Sequence, residues 1–243
     1  MKLFKKWFRK KERERPFCSA IVLAAGSATR MEGVDKIMLE LGGIPVIVHS
    51  LRPFEESSLI QEIVVVTRRE SLVDIGRLCK DYGFTKVTKI LPGGSTRMAS
   101  VQKGLVEVNR AAELIAIHDG ARPFVTREVA EEAILRAQAT GAAAPGIPVK
   151  DTIKLTEQGM VRQTLPRESL VAIQTPQVFE ASLIRAALAK ALHDGAALTD
   201  DCSAVERLGF PVAVTTGSEE NIKLTTPDDL ILGEAILAGR NWY

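Results

Sequence analysis

From Phe17 onward, short runs of β-branched and other apolar residues alternate with longer stretches whose apolar residues recur at helical spacing. This alternation constrains the fold most strongly, because strands joined by helices pair in parallel and need helices on both faces of their sheet. It predicts an α/β fold built on a mostly parallel, twisted sheet. The predicted strands are Ser19–Leu23, Glu62–Thr67, Lys86–Leu91, Leu114–His118, Ala142–Pro148 and Val212–Thr215. The predicted helices are Pro45–Glu55, Leu72–Tyr82, Thr96–Asn109, Arg127–Thr140, Ala181–His193 and Pro227–Leu237.

One segment departs from this alternation. Polar and apolar residues alternate across Lys150–Leu165 around Gln158-Gly159, which predicts a β-hairpin inserted between elements of the sheet. We expect it to extend from the body as an arm at about residues 148–168. No repeat, low-complexity segment or linker divides the rest, so we expect a single domain over residues 16–243 after a tail of residues 1–15.

The tail differs sharply in charge from the body. It carries eight Lys/Arg and two Glu, a net charge of +6, whereas the whole chain carries +2, which leaves −4 on the remaining residues. A mildly acidic body argues against a nucleic-acid-binding face, which needs clustered basic residues. Two lysines interrupt any hydrophobic segment of the tail, so secretion is not expected. The tail is expected to be disordered; the alternative is a weak membrane-surface helix, because four apolar residues share one helical face: Leu3, Phe4, Trp7 and Phe8.

Apolar runs and cysteines indicate the compartment. No apolar run approaches the ~18 residues that cross a bilayer, so no transmembrane segment is expected. Cys18, Cys79 and Cys202 lie far apart and show neither a metal-ligand spacing nor a disulfide framework. We expect reduced, mostly buried thiols in a cytoplasmic protein.

The loop after the first predicted strand combines small and basic residues. Ala24-Ala25-Gly26 is followed by Arg30 and Lys36. Small residues let backbone N–H groups approach an anion, and the cations suit a polyphosphate. The loop lacks the glycines of a dinucleotide fingerprint and the Gly-Lys-Ser/Thr of a Walker loop, which disfavours an oxidoreductase or a P-loop ATPase. The alternative is that Gly26 only turns the chain and both cations are surface charges.

Three further segments carry unusual chemistry at expected strand ends, where ligands of parallel sheets bind. Gly93-Gly94 exposes main-chain groups, which could contact a flat base, beside a predicted helix start. His118-Asp119-Gly120-Ala121-Arg122 brings a carboxylate and a guanidinium to one edge. Simpler roles remain open for these residues: His118 as a core histidine, Asp119 as a turn or capping residue, and Arg122 as part of a surface ion pair. Capping signals account for the residues at the start of the last predicted helix, but they give no reason for the lysine at position 223, which precedes it.

Taken in chain order, seven motifs form one series: Leu23-Ala24-Ala25-Gly26 with Arg30-Met31 and Lys36; Gly93-Gly94 with Arg97 and Ser100-Val101; His118-Asp119-Gly120-Ala121-Arg122-Pro123; Asp151-Thr152; Gln174-Thr175-Pro176-Gln177; Thr199-Asp200-Asp201; and Asn221-Ile222-Lys223. The series resembles the methylerythritol phosphate cytidylyltransferases of the non-mevalonate isoprenoid pathway, from about Ser19 to Leu237. Single motifs are shared with other sugar-nucleotide transferases, whereas the whole series is specific.

The resemblance implies a Rossmann-like nucleotidyltransferase fold and transfer of CMP from CTP to 2-C-methyl-D-erythritol 4-phosphate, with release of pyrophosphate. It also implies Mg²⁺ held mainly by the CTP phosphates. The attacking phosphate monoester is already anionic at neutral pH. Positioning and charge neutralisation therefore suffice without a general base.

The resemblance also assigns roles to residues. Arg30 and Lys36 would stabilise the transition state and the leaving pyrophosphate, and Arg167 and Lys223 would hold the attacking phosphate. CTP would contact Ala24, Ala25, Gly26, Gly94, Ser100 and Asp119, with cytosine at the second glycine loop and ribose near Asp119. The acceptor would contact Arg122, Thr152, Arg167, Thr175 and Lys223. In a homodimer with exchanged arms, Thr152 and Arg167 would complete the partner's site.

Three positions depart from the family pattern, and two other functions remain open. Ala28, Ile37 and Glu220 stand where family members often have glycine, glutamine and aspartate, yet none of these changes removes a charge assigned to catalysis. A ribitol 5-phosphate cytidylyltransferase would share the glycine loops and most of the basic positions. A non-catalytic nucleotide-binding module would keep only the fold, and the presence of all four assigned basic residues argues against it. Pyrophosphate release with each acceptor separately discriminates between these functions.

Overall fold

The computed structural model describes residues 16–26 and 35–240. The strands in these ranges are β1 (Cys18–Ala24), β2 (Glu40–Leu41), β3 (Ile44–Pro45), β4 (Glu62–Thr67), β5 (Val87–Pro92), β6 (Leu114–Asp119), β7 (Ala142–Pro148), β8 (Lys154–Glu157), β9 (Met160–Thr164), β10 (Val171–Ile173), β11 (Gln177–Glu180) and β12 (Ala213–Thr216). The helices are α1 (Val46–Glu56), α2 (Leu72–Asp81), α3 (Arg97–Glu107), α4 (Arg127–Thr140), α5 (Ala181–His193), α6 (Asp201–Glu206) and α7 (Pro227–Gly239). Single 3₁₀ turns lie at Arg69–Ser71 and Arg167–Ser169. The predicted tail, residues 1–15, lies outside the described residues.

Eight strands of the described chain form the central sheet, in the order β10-β7-β11-β6-β1-β4-β5 with β12 beside β7. The pairs β6/β1, β1/β4, β4/β5 and β7/β12 are parallel, whereas β11 runs antiparallel between β6 and β7 and β10 pairs antiparallel with β7. The predicted α/β fold with a mostly parallel sheet is confirmed. The sequence pattern missed β10 and β11, which have only three and four residues, and α6, whose six residues complete fewer than two helical turns.

Helices cover both faces of the sheet. On one face, α1, α2 and α4 pack against side chains such as Val22 and Val65, and on the other, α3, α5 and α6 pack against Ile21 and Val66. Strand β1 is therefore buried on both sides, which explains its continuous apolar run. A third, smaller cluster around Phe124 lies under α7.

The three cysteines are free and buried, as predicted. Burial raises the pKa of the Cys18 thiol to about 12 and that of Cys79 to about 11. Both thiols therefore stay protonated at neutral pH. No helix within the described ranges is long and apolar enough to cross a membrane.

The inserted hairpin is present as β8 and β9. Its turn places Gln158 at φ +49° and Gly159 at φ +78°, and such paired positive values suit the twist of a two-residue hairpin turn. Every residue of both strands is exposed, including Met160 and Val161 at 69% and 60%. The hairpin thus extends from the body with apolar side chains in solvent.

The parallel strands also position the site. Because β6, β1, β4 and β5 share one direction, their carboxyl ends meet at one edge of the sheet. That edge brings together the loops that begin at Ala25, Arg68, Gly93 and Gly120.

Two glycines inside helices generate a matched prediction about packing. A Cβ atom at Gly104 of α3 would lie 2.7 Å from Ile21 Cγ2, whereas one at Gly76 of α2 would lie 3.8 Å from Ile90 Cδ1. Gly104→Ala should lower the free energy of unfolding by ~1–3 kcal/mol through overpacking. Gly76→Ala should raise it by ~0.5–1 kcal/mol, because alanine favours the helix. Urea denaturation of both variants tests this, and equal stability of the two would contradict the close contact between α3 and β1.

Candidate active site

A cavity of about 760 Å³ opens at the carboxyl ends of the parallel strands. The loops after β1, β4, β5 and β6 line it, together with the segment before α7. Among the residues predicted for the site, eight line this cavity: Ala24, Ala25, Gly26, Lys36, Gly94, Ser100, Asp119 and Lys223. Arg30 and Ala28 lie outside the described residues, so the role of Arg30 stays a prediction.

Lys36 is positioned by the residue before it. The Asp35 carboxylate lies 2.7 Å from Nη2 of Arg68 and accepts a hydrogen bond of 2.9 Å from the Ser71 hydroxyl. Arg68 follows β4 and lines the cavity, so this pairing ties the backbone before Lys36 to the end of that strand. Sequence reasoning missed Arg68, although two arginines directly after a buried strand offered a signal.

Ile37, one of the three departures from the family pattern, packs in the hydrophobic core. Its side chain is buried and belongs to the apolar cluster beneath α1. Its carbonyl accepts a hydrogen bond of 2.9 Å from the N–H of Ile47. The chain after Lys36 is therefore anchored by apolar packing and by the backbone.

The second glycine loop is held close to the first. Gly93 N–H donates to the Thr67 carbonyl at 2.8 Å, and a Cβ atom at Gly93 would overlap that of Ala25. Gly94 N–H donates to the Ser100 hydroxyl, which in turn donates to the Thr96 carbonyl, both at 3.0 Å. The buried Ser100 hydroxyl thus holds the loop that leads into α3.

Asp119 sits at the centre of three cations. Its carboxylate lies 2.9 Å from Lys223 Nζ, 3.5 Å from Arg97 Nε and 3.7 Å from Arg122 Nε. Burial alone would raise its pKa, but Lys223, Arg97 and Arg122 together hold the pKa well below its usual range. Asp119 is therefore ionised at neutral pH.

Arg97 also contacts a second carboxylate. Its Nη2 donates to Oδ2 of Asp201 at 2.7 Å, and Asp201 is only 1% exposed. Burial raises the pKa of Asp201, and the opposing charge of Arg97 counters that shift. Sequence reasoning included both residues in the motifs but gave them no role, because α6, which begins at Asp201, was not predicted.

His118 and Thr175 lie behind Asp119. The Thr175 hydroxyl accepts from the Asp119 N–H at 3.1 Å and lies 3.0 Å from His118 Nδ1. His118 Nε2 lies 3.2 Å from the Arg122 carbonyl, which can only accept, so Nε2 carries the hydrogen of the neutral ring and Nδ1 accepts from the Thr175 hydroxyl. Both side chains are buried, and the His118 ring lies tilted by 53° against the Phe54 ring, with the ring centroids 4.9 Å apart. This is the core histidine that the sequence left open, and Thr175 faces the interior.

Arg122 connects the loop after β6 to the segment that carries Lys223. Its Nη1 donates to the Asn221 carbonyl at 2.7 Å, and Asn221 Nδ2 donates to the Thr175 carbonyl at 3.0 Å. These contacts fix the backbone two residues before Lys223. Arg122 is thus more than the surface ion pair that was one alternative.

Thr152 and Arg167 are placed differently from the rest. Both are exposed beside the hairpin, and Arg167 Nη1 donates to the Lys150 carbonyl at 2.8 Å. No described residue lining the cavity comes from this segment. The structure therefore leaves these two residues apart from the others predicted for the site.

Comparison with known proteins finds one family. The protein-family model for 2-C-methyl-D-erythritol 4-phosphate cytidylyltransferase matches residues 18–239. The cytidylyltransferase of that name from Caldanaerobacter subterraneus subsp. tengcongensis is 45% identical over 226 residues, covering 90% of this chain and 98% of that protein. The one from Halalkalibacterium halodurans is 44% identical over 221 residues, covering 90% and 96%.

Solved structures with the same names share the fold. The crystal structure of 4-diphosphocytidyl-2C-methyl-D-erythritol synthase from Anaerococcus prevotii has a TM-score of 0.83 and 31% identity, covering 93% of this chain and all of that one. The crystal structure of 2-C-methyl-D-erythritol 4-phosphate cytidylyltransferase from Thermus thermophilus has a TM-score of 0.73 and 32% identity, covering 90% and 98%.

The buried His118 generates a prediction about pH. Burial is the main cause that lowers its pKa from 6.5 to about 4 in the folded protein. Between these values the unfolded chain binds more protons, so the free energy of unfolding falls as the pH falls. Complete protonation of His118 therefore lowers the free energy of unfolding by ~3 kcal/mol relative to its value at neutral pH. His118→Gln can keep a donor toward the Arg122 carbonyl but cannot titrate, so its stability should fall less between pH 7 and pH 4. Parallel stability curves in chemical denaturation would contradict this.

Proposed function

The chain belongs to the 2-C-methyl-D-erythritol 4-phosphate cytidylyltransferase family, and we propose that the cavity at the strand ends is where it performs that reaction. It transfers CMP from CTP to 2-C-methyl-D-erythritol 4-phosphate and releases pyrophosphate. One observation carries the assignment of the cavity: its described lining contains four cations, Lys36, Arg68, Arg97 and Lys223, but a single carboxylate, Asp119. Such a charge balance suits a triphosphate.

The chemistry needs positioned charge rather than a base. An oxygen of the acceptor phosphate attacks the α-phosphorus of CTP and forms the new P–O bond. The bond from the α-phosphorus to the oxygen shared with the β-phosphorus breaks, and pyrophosphate leaves with that oxygen. No proton has to move, because the attacking group is an anion. Lys36 would stabilise the charge that develops on the transferred and leaving phosphates, as would Arg30.

The two glycine loops would hold the nucleotide. Backbone N–H groups of Ala25 and Gly26 would face the phosphates, and the backbone beside Gly94 would contact cytosine. Asp119 is ionised and can accept hydrogen bonds from the ribose. The close contact between Gly93 and Ala25 supports the idea that both loops act as one surface.

Lys223 would contact the phosphate of the acceptor. Its side chain is 39% exposed while its Nζ lies 2.9 Å from Asp119. It can therefore contact a phosphate in the cavity and keep its carboxylate partner. Arg122 and Thr175 would act on the acceptor side through the backbone that they hold around Asn221.

We also propose that Mg²⁺ accompanies the triphosphate. Within the described part of the chain, no three His, Cys, Asp or Glu side chains are grouped as a metal site. Oxygen ligands suit Mg²⁺, and the CTP phosphates would supply most of them, because Asp119, the carboxylate in the described cavity lining, already contacts three cations. The ion would neutralise phosphate charge during transfer.

The arm supports a dimer. Exposed apolar side chains on the hairpin and on the neighbouring strand β10 would be covered by a second copy: Leu155, Met160, Val161, Val171 and Ile173. We propose that Thr152 and Arg167 enter the partner's cavity, since both are exposed beside the hairpin. The acceptor phosphate would then meet Lys223 of one chain and Arg167 of the other.

The cytoplasm is the compartment that we propose. The three free, buried cysteines support it, because thiols stay reduced there.

The assignment of the cavity is tested by pyrophosphate release. CTP should give a higher kcat/KM than UTP or ATP, and 2-C-methyl-D-erythritol 4-phosphate a higher one than ribitol 5-phosphate. Lys36→Ala should lower kcat by at least ~100-fold, as expected for loss of a preorganised charge. Lys190→Ala is the matched control, because Lys190 pairs with Asp194 on α5. A kcat of Lys36→Ala within a few-fold of wild type would contradict the assignment.

The exchanged arm predicts complementation between inactive variants. When Arg167→Ala and Lys36→Ala chains exchange subunits, each mixed dimer regains one intact site. Because half of the dimers are mixed, activity should recover to roughly a quarter of wild type. A mixture of Lys36→Ala with Lys223→Ala should stay inactive, since both residues belong to the body of one chain. No recovery of the first mixture despite demonstrated exchange would mean that Arg167 does not act across the dimer.

A further inference from the structure

Arg97 joins two carboxylates that lie far apart in the sequence. It is the first residue of α3, and Asp201 is the first residue of α6. Its Nη2 lies 2.7 Å from Asp201 Oδ2, and its Nε lies 3.5 Å from Asp119 Oδ1. The guanidinium therefore extends from a buried anchor to the carboxylate in the cavity.

The anchor itself is held firmly to the sheet. Gln177 Oε1 accepts hydrogen bonds from the N–H groups of Asp201 and Cys202, at 2.9 and 3.0 Å. Gln177 is buried in β11 and pairs with Ile117 of β6, two residues before Asp119. The positions of Asp201 and Asp119 are thus set by adjacent strands of one sheet.

Asp201 is not needed to begin its helix. Asp200 caps α6, because its Oδ1 accepts from the Ser203 N–H at 3.0 Å. A carboxylate that is 1% exposed carries a large desolvation cost, and its pairing with Arg97 offsets part of that cost. The role of the buried Asp201 carboxylate is therefore its contact with the Arg97 guanidinium.

The contacts of Asp119 differ between its two oxygens. Lys223 Nζ lies 2.9 Å and Arg122 Nε 3.7 Å from Oδ2, whereas Arg97 Nε lies 3.5 Å from Oδ1. Oδ1 therefore keeps lone pairs for a donor in the cavity, and Arg97 is the cation that lies nearest to that oxygen.

We propose that Asp201 is a positioning residue that acts through Arg97 on Asp119 and thereby determines how strongly the site distinguishes ribose from deoxyribose. The inference rests on the proposed function, in which a ribose hydroxyl donates to Asp119. A carboxylate held at the correct angle makes a stronger hydrogen bond with that hydroxyl than a carboxylate that is free to rotate.

The test compares kcat/KM for CTP with that for 2′-deoxy-CTP and for 3′-deoxy-CTP. Asp201→Asn keeps the shape and an oxygen acceptor but removes the charge. It should reduce the discrimination against at least one analogue ~10-fold, the size of one hydrogen bond to a charged group. The KM for the acceptor should not change. Asp194→Asn, the same chemical change at the end of α5 where Asp194 pairs with Lys190 and Arg207, should leave both ratios unchanged.

A second variant separates positioning from a general loss of structure. Arg97→Gln should give the same loss of discrimination, and adding Asp201→Asn to it should cause no further loss, because both act through one contact. This variant also serves if Asp201→Asn fails to fold. Ratios unchanged within two-fold, or additive effects, would overturn the proposal. Absence of CMP transfer by the wild type would overturn the proposed function with it, whereas transfer with unchanged ratios overturns only the role of Asp201.

Discussion

The parallel pairing of β1 between β4 and β6 is the constraint on which the rest of the structure depends. A strand paired on both edges and covered on both faces has to be largely apolar: β1 is buried except at Leu23, and its one polar side chain, Ser19, donates a hydrogen bond to Glu62. The same pairing makes three carboxyl ends coincide, so loops distant in sequence face one cavity. Chemistry is thus confined to the carboxyl ends of the strands and the segments that follow them, because the buried middle of the strands leaves no room for it.

Charge pairing then arranges the cavity wall. Asp35 contacts Arg68, Asp201 contacts Arg97, and Asp119 contacts Lys223. Each carboxylate fixes a cation that would otherwise rotate freely on a long side chain. The ordering therefore takes place when the protein folds and need not be repeated at each turnover, which is how preorganised charge lowers a barrier.

Strands and helices with a clear, repeating apolar pattern could be predicted from the sequence. Strands β4 and β7 and helices α4 and α5 lie at their predicted bounds. The short β10, β11 and α6 could not, since the two strands have only three and four residues and the six-residue helix completes fewer than two turns. Contacts across the fold were also beyond reach: Arg97 and Asp201 are 104 positions apart, and no spacing rule links them. The motifs drew attention to both residues without showing that they touch.

The two halves of the proposed site differ in how they are built. The nucleotide half lies at the edge of the sheet, where Gly93 and Ala25 approach so closely that a Cβ atom at Gly93 would overlap that of Ala25. The acceptor half depends on Arg167, which is exposed and held by one hydrogen bond to the Lys150 carbonyl. A closely packed half suits a base and triphosphate that must be aligned for attack, because small displacements there cost rate steeply. In the proposed dimer, an arm from the second chain would suit the acceptor, because the attacking phosphate would then be enclosed only after assembly.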